Sequence, residues 1–207
     1  MKLAKELRYT FHVLTHPFDG FWDLKREKRG SLAAALIWLA AAVITYVFTK
    51  RYTGFIFNTN NTQYINVISE SLSVIAIFFL WVVANWSLTT LMDGNGTFKD
   101  IVIFSGYALA PYTILNLAGI LLSQFVTLEE GAIYYILIGI GWGWSLLLLV
   151  LGTLVTHDYT VAKTLGTIIM VIVAMMLIVF LALMVFSVVQ QIITLILSVY
   201  REITFRM

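Results

Sequence analysis

Long apolar runs separated by short polar segments dominate the chain from residue 31 onward. Crossing about 30 Å of hydrocarbon takes about 20 helical residues, which sets the length to look for. Runs of that length predict five transmembrane helices, over Ser31–Phe48, Leu72–Met92, Ile101–Phe125, Ile133–Thr156 and Leu165–Ser187. The pattern therefore predicts an all-α polytopic membrane protein whose five-helix bundle occupies residues 31–187.

The last apolar run is too long for one crossing. It continues to Tyr200, about 54 Å from Leu165 along a helix, and no turn residue interrupts it. Its end carries polar residues at spacings of three and four, namely Gln191, Thr194, Ser198 and Arg201. The sequence therefore predicts an extended C-terminal helix in which residues 188–207 form an amphipathic extension, either interfacial or bound to a partner.

The first 30 residues have an amphipathic pattern of their own. Apolar residues fall on one helical face at Leu3, Leu7, Phe11 and Leu14. Pro17 breaks this helix and can begin a second one, which carries Phe18 and Trp22. Aromatic and basic residues suit the headgroup region, so residues 1–30 are predicted to form amphipathic helices lying on the cytoplasmic leaflet.

Charge indicates orientation and excludes some functions. Seven of the 13 Lys and Arg residues precede Ser31, and an N-terminus inside brings the cytoplasmic total to nine with Lys99 and Lys163. Basic residues of short loops stay cytoplasmic, so we expect a cytoplasmic N-terminus and an extracellular C-terminus. A net charge of +2 gives no support for nucleic acid as a partner, and the absence of cysteine excludes disulfides and thiolate metal sites.

Two motifs could suggest binding sites, but their residues favour structural interpretations. The acidic glycine loop after the second span lacks the closing Glu of a calcium loop, because the twelfth position from Asp93 is Phe104. Gly139 and Gly143 have the spacing that lets helices approach closely, which favours packing inside the bundle over a ligand site.

His157, Asp158 and Tyr159 form the one cluster that resembles acid/base chemistry. A metal site there would require convergence with Asp93 or Asp100, and solvated loop polarity is the favoured interpretation. We therefore expect no catalytic residues, no metal and no cofactor. A membrane enzyme that uses His157, Asp158 and Asp93 remains an alternative.

Several segments taken together resemble the Yip1 family of small five-span membrane proteins. They are the aromatic segment from His16 to Leu24, the Trp86-x-x-x-x-Leu-x-x-Gly94-x-Gly96-Thr-Phe turn, Gly106-Tyr107-x-x-x-Pro111, and His157-x-Tyr159-x-x-x-Lys163. The resemblance covers about residues 17–190. It implies a multi-pass bundle in which these residues are structural or partner-contact positions.

Eukaryotic members of that family are linked to Rab GTPases, whereas bacterial members look like accessory partners of ABC transporters. The chain lacks the long polar N-terminal region of the eukaryotic proteins. The sequences of its N-terminal segment and glycine turn resemble those of Gram-positive proteins associated with carbohydrate transporters. The resemblance thus implies a non-catalytic accessory or assembly subunit in a bacterial cell membrane, packed against ABC transporter permeases and the lipid bilayer. The alternative is a stand-alone small transporter or channel, in which Asn85, Asn116 and Gln124 would line a polar cavity.

The patterns and the resemblance single out sixteen candidate partner-contact or structural residues. They are Phe18, Trp22, Trp86, Asp93, Gly94, Gly96, Tyr107, Pro111, Gly139, Gly143, His157, Tyr159, Gln191, Thr194, Ser198 and Arg201.

Overall fold

The computed structural model describes residues 2–61 and 64–206, and every regular element among them is a helix. The helices are α1 (Lys2–Thr15), α2 (Pro17–Arg26), α3 (Leu32–Tyr52), α4 (Val67–Leu91), α5 (Phe98–Ala108), α6 (Ala110–Leu122), α7 (Gly131–His157) and α8 (Val161–Arg206). Five stretches are long and apolar enough to cross a membrane, with α5 and α6 together forming the third. The prediction of an all-α, five-span membrane protein is confirmed.

Polar caps fix where the spans begin. Ser31 accepts a hydrogen bond from the Ala34 N–H at the start of α3, and Asn66 accepts two at the start of α4. The prediction starts at Leu72 because Glu70 interrupts the apolar run in the sequence. In the structure, α4 begins five residues earlier, at Val67. An acidic side chain in the first turn is nevertheless favourable to a helix, so the helix extends beyond the apolar run.

The third span is broken, although the sequence predicted a continuous helix. Helix α5 ends at Ala108 and α6 begins at Ala110, with Pro111 in its first turn. Proline has no N–H and disfavours helical geometry in the residue before it. The Tyr112 N–H is satisfied from outside the span, by the Ser145 hydroxyl of α7 at 2.9 Å.

The broken span forms the centre of the bundle. Every residue from Ile101 to Ala108 is buried. Helices α3 and α7 flank it, and α4 packs between α3 and α8. We call the end of the bundle where α2 finishes and α3 begins the hairpin end, and the opposite end, which includes residues 123–130, the distal end.

Helices α1 and α2 form an N-terminal hairpin that packs along the side of the bundle. At its tip, the Trp144 indole N–H donates to the Leu14 carbonyl at 3.3 Å, and at its end Lys25 Nζ donates to the Thr156 carbonyl at 2.6 Å. These two points are twelve residues apart on α7, which is about 18 Å of helix. Helix α1 contacts α3, and α2 contacts α5 and α7, while Leu3, Phe11, Phe18 and Trp22 stay exposed. The placement of both helices on the leaflet surface remains a prediction.

Helix α8 is the least enclosed element. Its 46 residues correspond to about 69 Å, more than twice the thickness of the hydrocarbon core. Thr164, Thr167 and Val171 are buried, whereas every residue from Leu181 to Phe205 is exposed. The helix continues without a break past Ser187, as the overlong apolar run predicted.

Candidate functional site

Three segments that are far apart in sequence meet at the hairpin end, and we call this the loop cluster: Lys25, Arg26, Met92–Thr97, His157–Tyr159 and Lys163. Asp158 is at its centre. The Asp158 carboxylate lies 3.2 Å from Lys25 Nζ and 3.1 Å from Arg26 Nη2, and it accepts a hydrogen bond from Asn95 Nδ2 at 3.2 Å. One carboxylate therefore connects the N-terminal hairpin, the α4–α5 loop and the end of α7.

The His157 side chain explains the two glycines of the α4–α5 loop. It is fully buried, and its Nδ1 accepts the Gly96 N–H at 3.3 Å. A Cβ on Gly94 would lie 2.5 Å from His157 Nδ1, and one on Gly96 would lie 2.7 Å from Cε1. Glycine is needed at both positions because the imidazole occupies the space that a side chain would fill.

Tyr159 and Lys163 attach the beginning of α8 to the end of α4. The Tyr159 hydroxyl donates to the Met92 carbonyl at 3.0 Å, and Lys163 Nζ donates to the same oxygen at 2.8 Å. Lys163 Nζ also lies 4.1 Å from the centroid of the Tyr159 ring, within the range of a cation–π interaction. The spacing of His157, Tyr159 and Lys163 therefore brings all three side chains into contact with the segment that connects α4 to α5.

The electrostatics of the loop cluster favour an ionised Asp158. Burial alone would raise the pKa of Asp158, but the hydrogen bond from Asn95 and the charges of Lys25 and Arg26 outweigh it and hold this pKa below its usual value. The carboxylate is thus neutralised by two cations rather than poised for proton transfer.

The metal-site arrangement considered from the sequence is not formed by the residues that the structure describes. No three His, Asp or Glu side chains among them converge as metal ligands. Asp93 is exposed with a φ of 55°, and Asp100 forms a capping box with Thr97 at the start of α5.

Other candidate residues occupy separate structural positions. Tyr107 is fully buried, and its hydroxyl donates to the Glu6 carbonyl at 3.2 Å, which attaches α5 to α1. Trp86 packs edge-on against Phe98 at 5.9 Å. Phe18 and Trp22 are exposed on the outer side of α2, so they are available to lipid or to a partner.

The prediction that Gly139 and Gly143 pack inside the bundle is wrong. A Cβ on either residue would meet nothing within 4 Å. The packed glycine is Gly141, where a Cβ would lie 3.1 Å from Leu115 Cβ. Gly141 therefore lies on the inner face of α7, and Gly139 and Gly143 lie on its outer face.

The polar positions of α8 form an exposed line that we call the α8 stripe: Ser187, Gln190, Gln191, Thr194, Ser198 and Arg201. The Thr194 hydroxyl donates to the Gln190 carbonyl and the Ser198 hydroxyl to the Leu195 carbonyl, both at 2.8 Å. No other element covers the stripe among the described residues. The polar spacing read from the sequence is thus a real surface on one helix.

The three residues that a polar transport cavity would need do not gather in one place. Asn85 lies less than two turns from the hairpin end of α4, whereas Gln124 lies at the distal end and donates to the Tyr52 carbonyl at 2.7 Å. Asn116 donates to the Tyr112 carbonyl of its own helix at 2.8 Å.

The sequence did not reveal that Lys25, Arg26 and Asn95 belong to the loop cluster. More than 130 residues separate Lys25 and Arg26 from Asp158, and no local pattern connects them. In the sequence, both count only among the seven basic residues before Ser31 that indicate orientation.

Comparison with known proteins gives one match. A family model described as the Yip1 domain matches residues 11–199. The comparison with curated proteins found no match, and neither did the comparison with solved structures. The matched range contains the first four spans, the loop cluster, and the fifth span with the α8 stripe as far as Ser198.

Proposed function

The chain belongs to the Yip1 family, and from that premise we propose that it is a non-catalytic accessory subunit that assembles with another integral membrane protein through the exposed length of α8. The partner we propose is a permease of a bacterial ABC transporter in the cell membrane. A carbohydrate importer is the favoured class because the aromatic N-terminal segment and the glycine turn resemble proteins associated with such transporters.

The observation that carries the proposal is that no single solvent suits the second half of α8. In water, its apolar residues such as Ile192, Ile193 and Ile196 would form a long exposed hydrophobic surface. In hydrocarbon, the α8 stripe would place two glutamines and an arginine against lipid, which is costly. A membrane protein partner that covers the α8 stripe removes the polar cost and leaves the opposite, apolar face of the helix to lipid.

An interfacial location would also suit an amphipathic helix, but the continuity of α8 opposes it. A helix that crosses the bilayer and then lies on its surface must turn sharply. Sharp kinks arise at proline, glycine pairs or bulges, and α8 contains no proline and no glycine after Gly166. The exposed half is therefore directed away from the bundle as a rigid extension.

The outer face of α7 offers a second surface for a partner helix. Gly139 and Gly143 are open on that face, and the exposed Ile136, Ile140 and Leu147 lie beside them. Helices in lipid associate where small residues let their backbones approach closely. This surface supports the accessory interpretation without depending on α8.

The test compares two tryptophan substitutions on α8 at nearly the same depth. Thr194→Trp places a ring on the α8 stripe, and Ile196→Trp places the same ring on the opposite side of the helix. Overpacking in a helix interface costs about 1–3 kcal/mol. We therefore expect Thr194→Trp to lower recovery of permease subunits with the tagged protein by about tenfold.

Ile196→Trp is the matched control and is expected to retain the permease, as is the unmodified chain. Copurification is measured in mild detergent from native membranes, with subunits identified by mass spectrometry. Recovery of the unmodified chain as a lone monomer, or equal recovery of permease with both variants, contradicts the proposal.

A further inference from the structure

A cavity of about 420 Å³ lies in the middle of the bundle. Its walls come from α3, α4 and α7, from the break between α5 and α6, and from Met175 of α8. The volume is within the range of about 300–1,000 Å³ that is typical of small-molecule sites. It belongs neither to the loop cluster nor to the α8 stripe.

Several polar groups in the lining of the cavity are hydrogen-bonded to one another or to their own helix. The Trp81 indole N–H donates to the Ser105 hydroxyl at 3.1 Å, and the Ser145 hydroxyl accepts the Tyr112 N–H at 2.9 Å. The Ser73 hydroxyl donates to the Glu70 carbonyl of its own helix at 2.7 Å. Water in this space would find few partners, and apolar cavities of this kind stay dry and bind apolar molecules.

Charged side chains lie beside the distal end of the cavity. Tyr46 of α3 and Ser73 of α4 belong to its lining, and one turn further toward the distal end are Lys50 and Glu70. Lys50 Nζ lies 2.7 Å from Glu70 Oε2 and 5.0 Å from the centroid of the Tyr46 ring. An ion pair thus lies where an apolar chain leaving the cavity would meet the headgroup region.

We propose that the cavity binds one acyl chain of a membrane phospholipid, with the lipid phosphate at Lys50. The apolar lining accepts the chain and the bilayer supplies it. The Lys50–Glu70 pair complements the zwitterionic headgroup of phosphatidylethanolamine, with the ammonium at its phosphate and the carboxylate at its amine. The bound chain fills the space that the break in the third span leaves open. This site is independent of the accessory role and stands if that role is disproved.

The first experiment maps the contacts of the chain in the full-length protein. The protein is placed in vesicles of phosphatidylethanolamine and phosphatidylglycerol that contain a phospholipid with a photoreactive diazirine in the middle of its acyl chain. Leu39 and Phe78 line the cavity and are almost inaccessible from outside, whereas Ile136 and Ile140 are exposed on the outer face of α7. We expect adducts on both pairs, and adducts on the external pair alone overturn the proposal.

The second experiment fills the cavity. Ala42 lines it, whereas Ala40 of the same helix is exposed, so Ala42→Phe and Ala40→Phe form a matched pair. Labelling of Phe78 should fall to the level of an unirradiated sample in Ala42→Phe and stay unchanged in Ala40→Phe. Wild-type labelling of Phe78 in a folded Ala42→Phe protein contradicts the proposal. If that variant does not fold, the wild-type adduct map decides.

The third experiment identifies the headgroup contact. Native mass spectrometry of the wild-type protein should show one retained phospholipid, and Lys50→Gln should reduce its retention. Arg51→Gln changes a neighbouring charge outside the cavity lining and is expected to retain the lipid. Retention of an isoprenoid phosphate in place of a phospholipid, or of no lipid, overturns the assignment.

Discussion

Asp158 has a backbone conformation that restricts which residues can replace it. Its φ of 55° and ψ of 40° lie in the left-handed region, which Asp and Asn tolerate better than other side chains except glycine. Asn therefore preserves the turn that ends α7 while removing the charge. The substitution separates the role of the carboxylate from the role of the backbone.

Asp158→Asn is expected to lower the free energy of unfolding at pH 7 by about 1 kcal/mol, because exposed ion pairs contribute about 0.2–1 kcal/mol each. The pKa of Asp158 is held below its usual value, so its stabilisation is complete above about pH 5 and is lost as pH falls through the folded-state pKa. The difference from wild type should therefore shrink below about pH 4, the ordinary value for Asp. Unfolding in detergent, followed by tryptophan fluorescence across this range, measures it.

Glu27→Gln is the control for Asp158→Asn. Glu27 pairs with Arg29 two residues away, so its loss removes an exposed ion pair without separating distant segments. Little change in stability is expected at any pH. A difference between wild type and Asp158→Asn that persists unchanged at pH 3 would assign the effect to the turn rather than to the charge.

The sequence could identify a site residue where a local pattern or a family motif marks it. Gly94, Gly96, His157 and Tyr159 stood out through the resemblance, and the structure brings them together. That a buried imidazole requires the two glycines was not predictable, because His157 is 61 residues from Gly96 in sequence. The Lys25 and Arg26 contacts with Asp158 were missed for the same reason.

Helices and their approximate limits follow from hydropathy, because lipid selects apolar runs of a fixed length. The break at Leu109 was missed, since the run is apolar on both sides and Pro111 is tolerated in the first turn of a new helix. Amphipathic spacing did not indicate the buried face of α1. Leu3 and Phe11 of the predicted face are exposed, whereas Glu6, Thr10 and Val13 are buried. Spacing alone does not show what a face meets, because a lipid surface and a protein surface select similar residues.

One side-chain hydrogen bond attaches the middle of α1 to α3, where the Trp38 indole N–H donates to the Thr10 hydroxyl at 2.9 Å. Thr10→Val preserves the shape of the side chain and leaves that N–H unpaired. We expect a loss of about 1–2 kcal/mol, typical of a polar group left unpaired. Hydrogen exchange measured by mass spectrometry should then accelerate in residues 2–15 more than in the spans.

Thr49→Val is the matched control for Thr10→Val. The Thr49 hydroxyl donates to the Thr45 carbonyl of its own helix at 2.9 Å, so its removal detaches no other element. Exchange in residues 2–15 should stay at the wild-type rate. No acceleration in Thr10→Val would mean that α1 is held by its apolar contacts rather than by this hydrogen bond, and equal acceleration in both variants would assign the effect to a general loss of stability.

For the whole molecule, the sequence established the number of crossings and the excess length of the last one. It did not establish what covers that length, because an exposed helix face is compatible with several partners until an assembly is observed. The central cavity was also beyond sequence reasoning, since its walls come from six helices and depend on the break in the third span.

Five crossings place the two chain termini at opposite ends of the bundle, and the distribution of Lys and Arg determines which end is cytoplasmic. Seven of 13 basic residues precede Ser31, so we expect the hairpin end inside and the end of α8 outside.

The chain contains no cysteine, so a cysteine introduced by a single substitution can be labelled without background from native thiols. In intact cells, a membrane-impermeant maleimide should label Glu129→Cys and Phe205→Cys but label Lys28→Cys only after lysis. Glu129, Phe205 and Lys28 are all exposed in the structure, so burial within this chain cannot explain a difference among them. Labelling of Lys28→Cys alone before lysis would reverse the orientation, because the positive-inside bias would then have failed to hold the N-terminal hairpin in the cytoplasm.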